Sequence, residues 1–226
     1  MKNKILIVAA HPDDEILGCG GTIARMASEG ATVATLILGE GITSRDMKRD
    51  VSKRTSEINT LKKNISEANQ LIGVRKIISH DFPDNRFDTV PLLDIIKVIE
   101  NAKNELQPDI IFTHFSSDLN IDHYITNKAV LAATRPMEGE TVKEVYSFEV
   151  LSSTEWNYPL TFSPDFYVNI TDYLLIKKNA MSVYQSELKE YPHPRSLKAI
   201  ELNAAYWGTR TGLNKAEAFQ TVRRLI

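Results

Sequence analysis

The segment AHPDDE (Ala10–Glu15) places four ionisable side chains, His11, Asp13, Asp14 and Glu15, within five residues. Neutral imidazole and carboxylate both ligate zinc, and a catalytic zinc keeps three protein ligands and one open position for water. His11 and Asp14 are three apart, so one helical-type turn can aim both at the same point. Asp13, between them, would stand beside a metal-bound water, where a general base is needed. Pro12 fixes φ and brings no N–H, which stiffens the turn. A plainer use competes: Asp13, Asp14 or Glu15 could accept the orphan N–H groups of a helix start.

Those residues need a frame. Short apolar, β-branched runs at Ile5–Ala10, Val33–Leu38, Lys76–Ser79 and Ile110–His114 read as strands. Gly21–Ser28, Asp46–Ile72 and Leu92–Leu106 read as helices, with apolar positions mostly three or four apart, as at Leu92, Ile95, Ile96 and Ile99. Strands alternating with helices predict right-handed βαβ units, hence an α/β, Rossmann-like, mostly parallel sheet with helices on both faces. In such sheets ligands sit beyond the carboxyl ends of the strands. His11–Glu15, Glu40–Arg45, Asp81–Arg86 and Asp118–His123 each follow a predicted strand. Beyond Pro136 the sequence predicts strands at Val145–Leu151 and Phe166–Ile170. Helices are expected at Asp172–Leu188, Ser196–Trp207 and Ala216–Leu225. No linker or repeat interrupts the chain, so one domain over 1–226 is expected, its C-terminal half (about 137–226) lining or covering the site.

Composition narrows the class. Hydrophobic residues make up 42% and charged residues 25%, ordinary for a folded globular chain. The net charge is −2 with Lys and Arg scattered, so no nucleic-acid footprint is present. The start MKNKILIVAAHPDDE is too short in its apolar run for a secretory signal and reads as a first strand. No window approaches the ~20 apolar residues that cross a bilayer. A single cysteine, Cys19, fits a reducing cytoplasm. Small-molecule substrate is therefore the expected partner, and a homo-oligomer is compatible with everything above.

The third metal ligand expected from topology is His123, in THFSSDLNIDH at the end of the fourth strand. There a helix start would face the crevice shared with HPDDE; a surface helix residue capped by Asp122 is the competing use. His114, ending that strand, His80 and His193, between two prolines, complete the five histidines. On the substrate side, Arg45 in GEGITSRD could clamp a phosphate or carboxylate, or simply lie on a solvated helix start. Glu40 could touch a sugar hydroxyl or cap the next helix, Asp84 and Arg86 are weaker candidates, and the stretch with Glu149, Trp156 and Tyr158 could form an aromatic wall.

AHPDDE, the following GCGGTIA, the later DLNIDH and AEAF (Ala216–Phe219) together resemble the PIG-L/LmbE-like N-deacetylases. That family includes the de-N-acetylase of glycosylphosphatidylinositol synthesis, the mycothiol-pathway deacetylase and bacterial deacetylases of antibiotics and sugars. The resemblance implies a zinc ion (Fe2+ would suit the same ligands) bound by His11, Asp14 and His123. It implies Asp13 as general base and then acid, and Asp122 orienting a neighbouring imidazole. The substrate would be an N-acetylated amino sugar, sugar nucleotide or glycolipid precursor. Many members carry His where Asn120 stands, as in HPDH; an amide can donate to an oxyanion but supplies no proton. The role would pass to His114 or His193, or Asp13 would act alone. Losing one oxyanion donor costs ~10²–10³ in rate. Three rivals stay open: a nucleotide-binding protein with GCGG as phosphate loop, a zinc protein with little turnover, and a deacylase of non-sugar amides.

Overall fold

The computed structural model describes residues 3–225. One seven-stranded sheet has the order β3-β2-β1-β4-β5-β7-β6. β1 (Lys4–Ala9), β2 (Thr32–Gly39), β3 (Lys76–Phe82), β4 (Ile110–His114) and β5 (Glu144–Phe148) pair in parallel. β7 (Ala216–Arg224) runs antiparallel between β5 and β6 (Phe166–Asn169). The helices are α1 (Asp14–Ser28), α2 (Thr55–Leu71), α3 (Leu92–Leu106), α4 (Ile121–Ala133), α5 (Leu174–Val183) and α6 (Leu197–Thr209). This is the α/β, mostly parallel arrangement that the strand–helix alternation predicts.

β1 shows why. Its unbroken apolar run is buried on both faces, as a central parallel strand requires. Ile5, Ile7 and Ala9 pack with Ile16 of α1, Ile65 of α2 and Met181 of α5, while Leu6, Val8 and Ala10 pack with Ile95 and Ile99 of α3 and Val130 of α4. The chain order reverses beside β1, with β2 and β3 on one side and β4 and β5 on the other. The loops leaving β1 and β4 therefore diverge to opposite faces from neighbouring strand ends, and the crevice between them is where such sheets hold ligands.

Two expectations need correction. Where Ala216–Leu225 reads as a helix, Ala216–Arg224 is a strand. Its Ala and Glu favour a helix locally, but the segment fills the gap between β5 and β6, and its side chains alternate. Ala216 and Ala218 pack against Trp207 on one face, while Phe219 joins the opposite cluster with Phe112. Tertiary pairing overrides local propensity. Helix α1 also starts at Asp14 rather than Gly21, so Asp14 and Glu15 lie in its first turn.

That helix is kinked at Cys19 (φ −146°, ψ 18°), and the kink has a cause. An unbroken helix would bond the Gly21 N–H to the Leu17 carbonyl. Instead Gly21 N donates to Glu217 Oε1 (3.0 Å) and Thr22 N to Glu217 Oε2 (2.6 Å). Leu17 O accepts from Lys177 Nζ (2.8 Å), which also pairs with Glu217 (2.6 Å). A buried ion pair is thus inserted into the helix ladder, a recognised origin of sharp kinks. The glycines serve packing: a Cβ at Gly18 would lie 2.3 Å from the Phe148 ring, and one at Gly21 2.9 Å from Ile170. All of GCGG is buried and the Gly21 N–H is taken, so this segment is not a phosphate loop.

Removing one partner of the pair leaves the other charge buried. Lys177→Met should cost about 3–5 kcal/mol, read as a lower urea midpoint, whereas the exposed Lys62→Met should leave the midpoint unchanged.

Candidate metal and catalytic site

Past β1 the backbone is steered by a side chain: Ala10 N donates to His114 Nε2 (2.8 Å). Asp13 then adopts φ 94°, ψ −25°, in the left-handed region that Asp tolerates better than most residues. Its side chain makes no cap bond. The helix entrance is tied otherwise: His11 N donates to Asp14 Oδ2 (2.8 Å) and Asp13 N to Glu15 Oε2 (3.0 Å). The capping use of this acidic segment thus falls to Asp14 and Glu15, and the Asp13 carboxylate lines the cleft.

α4 opens the facing wall. Asn120 caps it, its Oδ1 accepting from Asp122 N (2.9 Å), and its Nδ2 donates to Asn85 Oδ1 (2.9 Å). The helix begins two residues before His123, so His123 and Asp122 sit in its buried first turn. His11 Nε2 lies 2.8 Å from Asp122 Oδ2. A carboxylate only accepts, so Nε2 carries the proton and Nδ1 is left as a ligand atom, 3.4 Å from Asp14 Oδ2. On the other side His123 Nδ1 lies 3.1 Å from Asp118 Oδ1, and Nε2 lies 3.3 Å from Asp14 Oδ2. Asp118 is held in turn by Thr154 Oγ1 (2.5 Å) and Ser153 Oγ. Each imidazole thus has a carboxylate behind it and Asp14 in front.

One ligand atom from each of His11, Asp14 and His123 lies within 4.8 Å of the other two. Asp14 Oδ1 and both ring nitrogens of His123 are buried with no hydrogen-bond partner of good geometry among the described residues. Two imidazoles, a carboxylate and unpaired buried ligand atoms fit a divalent cation such as zinc, which binds the imidazoles once they lose their second proton. His11, Asp84 and Asp122 are equally close together. There, however, Asp122 already accepts from His11 and from Phe87 N (2.9 Å), and Asp84 from Ser44 N (3.1 Å) and Oγ (2.6 Å). The first group is the one with ligand atoms to spare.

The charges are strongly coupled. Burial would depress His123, but the charge of Asp14 and the bond to Asp118 outweigh it and push the imidazole up to about 9. Burial would raise Asp14, yet the surrounding imidazoles, His123 first, hold it well below the carboxylate range. His114 is pushed well down, by burial and then by His123, whose ring stacks on it at 3.9 Å. Asp13 is pushed well up by burial, against the pull of Arg195.

The cleft beside this cluster holds about 180 Å³ and is lined by His11, Asp13, Arg45, Asp84, Asn120 and Arg195, among others. Arg45 is there, paired to Glu187 (2.5 Å). Two expected contacts are not. His114 is fully buried behind the cluster, its Nε2 spent on Ala10. His193 is absent from the lining; its Nδ1 accepts from Arg195 N (3.1 Å) and its ring meets Trp156 edge-on. Sequence reasoning gave no role to Asp118 or Glu187. Asp118 had a signal, a carboxylate five residues before a candidate ligand, whereas Glu187 had none.

The PIG-L family, described as GlcNAc-PI de-N-acetylase, matches residues 6–134, more than half of the chain. The chain belongs to the PIG-L family. Escherichia coli YaiS, described as an uncharacterized deacetylase, is 27% identical over 82% of this chain and 92% of its own. The diacetylchitobiose deacetylase of Thermococcus kodakarensis is 25% identical over 97% of this chain and 83% of its own. Among solved structures, the conserved protein TT1542 of Thermus thermophilus superposes with a TM-score of 0.77 at 27% identity, covering 99% of this chain and 96% of that one. The matched region of this PIG-L chain holds His11, Asp13, Asp14, Asp122 and His123.

A metal bound there would displace the proton that His123 holds below about pH 9 and the one on His11, which Asp122 and Asp14 raise well above the usual imidazole range, so ligation releases both and tightens as pH rises. Apparent zinc affinity should climb about a hundredfold per unit between pH 6 and 8, measured by competition with a chromophoric chelator. A flat profile would contradict it.

Proposed function

We propose that this protein is a metal-dependent N-deacetylase that releases acetate from an amino sugar, sugar nucleotide or glycolipid precursor. His11, Asp14 and His123 would hold Zn2+, or Fe2+ according to availability. The convergence of His11 Nδ1, Asp14 Oδ2 and His123 Nε2 in a cleft that Asp13 also lines carries the reading. Its relatives named as deacetylases support the reaction class.

When bound, the ion would acidify a water and polarise the amide carbonyl. Asp122 accepts from His11 Nε2 and so fixes that tautomer. Asp118 Oδ1 stands 3.1 Å behind His123 Nδ1, which leaves His11 Nδ1 and His123 Nε2 on the side of Asp14. Asp13 takes the proton of the attacking water, the water oxygen bonds to the carbonyl carbon, and the C–N bond breaks. The same proton then passes from Asp13 to the amine nitrogen, leaving acetate and a free amine. The cleft is smaller than the ~300–1,000 Å³ of sites that enclose a whole drug-sized ligand, which suits an acetamido group with its sugar reaching outward.

The test is acetate release from N-acetylglucosamine derivatives, sugar nucleotides and N-acetylglucosaminyl lipids, with bound zinc measured in parallel. Asp13→Asn should keep its metal and lose ~10²–10⁴ in kcat. His123→Ala should lose the metal itself. Equal acetate release by wild type and Asp13→Asn would sink the mechanism, and a metal-loaded wild type inert on every amide would sink the activity.

A further inference from the structure

The Asp13 carboxylate is 1% exposed yet accepts only one side-chain hydrogen bond among the described residues, from Arg195 NH1 to Oδ2 at 3.1 Å. Oδ1 accepts none. One oxygen is thus anchored and the other left for a proton. Arg195 is itself anchored from two directions. Its Nε donates to Ser152 Oγ (2.8 Å), and its backbone N to His193 Nδ1 (3.1 Å). Ser152 sits at φ 74°, a left-handed conformation that costs a non-glycine residue energy and persists only where its surroundings impose it. The imposing group is Glu155, whose Oε1 accepts from Ser152 N (2.6 Å). A short chain, Glu155 to Ser152 to Arg195 to Asp13, therefore runs from the loop after β5 into the cleft.

At position 120 no such help is offered. The Asn120 amide is spent, its oxygen on the α4 cap and its nitrogen on Asn85. Nor does His114 or His193 face the cleft. Glu187 lies 3.6 Å from Arg195 NH1, farther than Asp13, and is occupied by Arg45, so the closer partner of the guanidinium is the proposed base.

We infer that Arg195 is a positioning residue for Asp13, aimed by the strained Ser152, holding the carboxylate so that Oδ1 alone meets the attacking water. This deepens the proposed reaction and rests on it. A guanidinium is needed because Ser152 and Asp13 are held by different nitrogens of one rigid fork, which a lysine ammonium cannot reproduce.

Arg195→Met should lower kcat ~10²-fold, the lower end of what a general base supplies, with KM and bound metal little changed. Arg195→Lys should recover little, and added guanidinium should partly restore an Arg195→Ala variant. In an Asp13→Asn background, Arg195→Met should cost nothing further, since neighbours that act through one another are not additive. A full additional loss in that background, or wild-type kcat in Arg195→Met, overturns the inference while leaving the deacetylase reading intact. Crystal structures of wild type and Arg195→Met test it without any substrate: the Asp13 carboxylate should leave its place in the variant. An unmoved Asp13 overturns the inference even if the wild type proves inert on every amide.

Discussion

Asp14 is the anion around which everything else is arranged. It receives the His11 backbone N–H on the same oxygen that lies between the His11 and His123 imidazoles, and no water-exposed surface remains to it. A buried charge persists only where it is matched, and here the match comes from two strand ends at once. The adjacency of β1 and β4 brings the imidazoles together; Asp122 and Asp118 stand behind them. The left-handed turn at Asp13, the Asn120 cap and the His114 bond to Ala10 all follow as ways of delivering these few groups to one point.

The last third of the chain braces that arrangement from two sides. Beneath α1, Glu217 and Lys177 occupy the kink, so the first turn of the helix carrying Asp14 is set apart from the remainder. Above it, Glu187 and Arg195 close over the cleft. The GCGG and AEAF segments are therefore halves of one contact, glycines that admit a close approach and a carboxylate that replaces the missing ladder partners.

Much of this could be read in the residues. The strand ends, the parallel sheet and the grouping of His11, Asp14 and His123 follow from β-branched runs, turn positions and the crevice rule. What escaped has a common cause. Ala216–Arg224 carries helix-forming residues whose conformation is decided by strands distant in sequence. Glu187 reaches the cleft through a loop with no periodicity to place it. The choice of Asn120 over Asp122 as helix cap turned on a two-residue boundary, and Asp122 was already engaged elsewhere, by His11.

The two ligand-bearing segments are joined only by the fold, since the His11–Asp122 contact spans 111 residues of chain. An unfolded chain has no reason to hold those atoms together. A cation that binds them binds the native state alone, and a ligand of that kind at a hundredfold excess over its Kd adds about 2.7 kcal/mol to stability. Melting temperature would then track free metal concentration, making the cluster a clasp across the middle of the sheet.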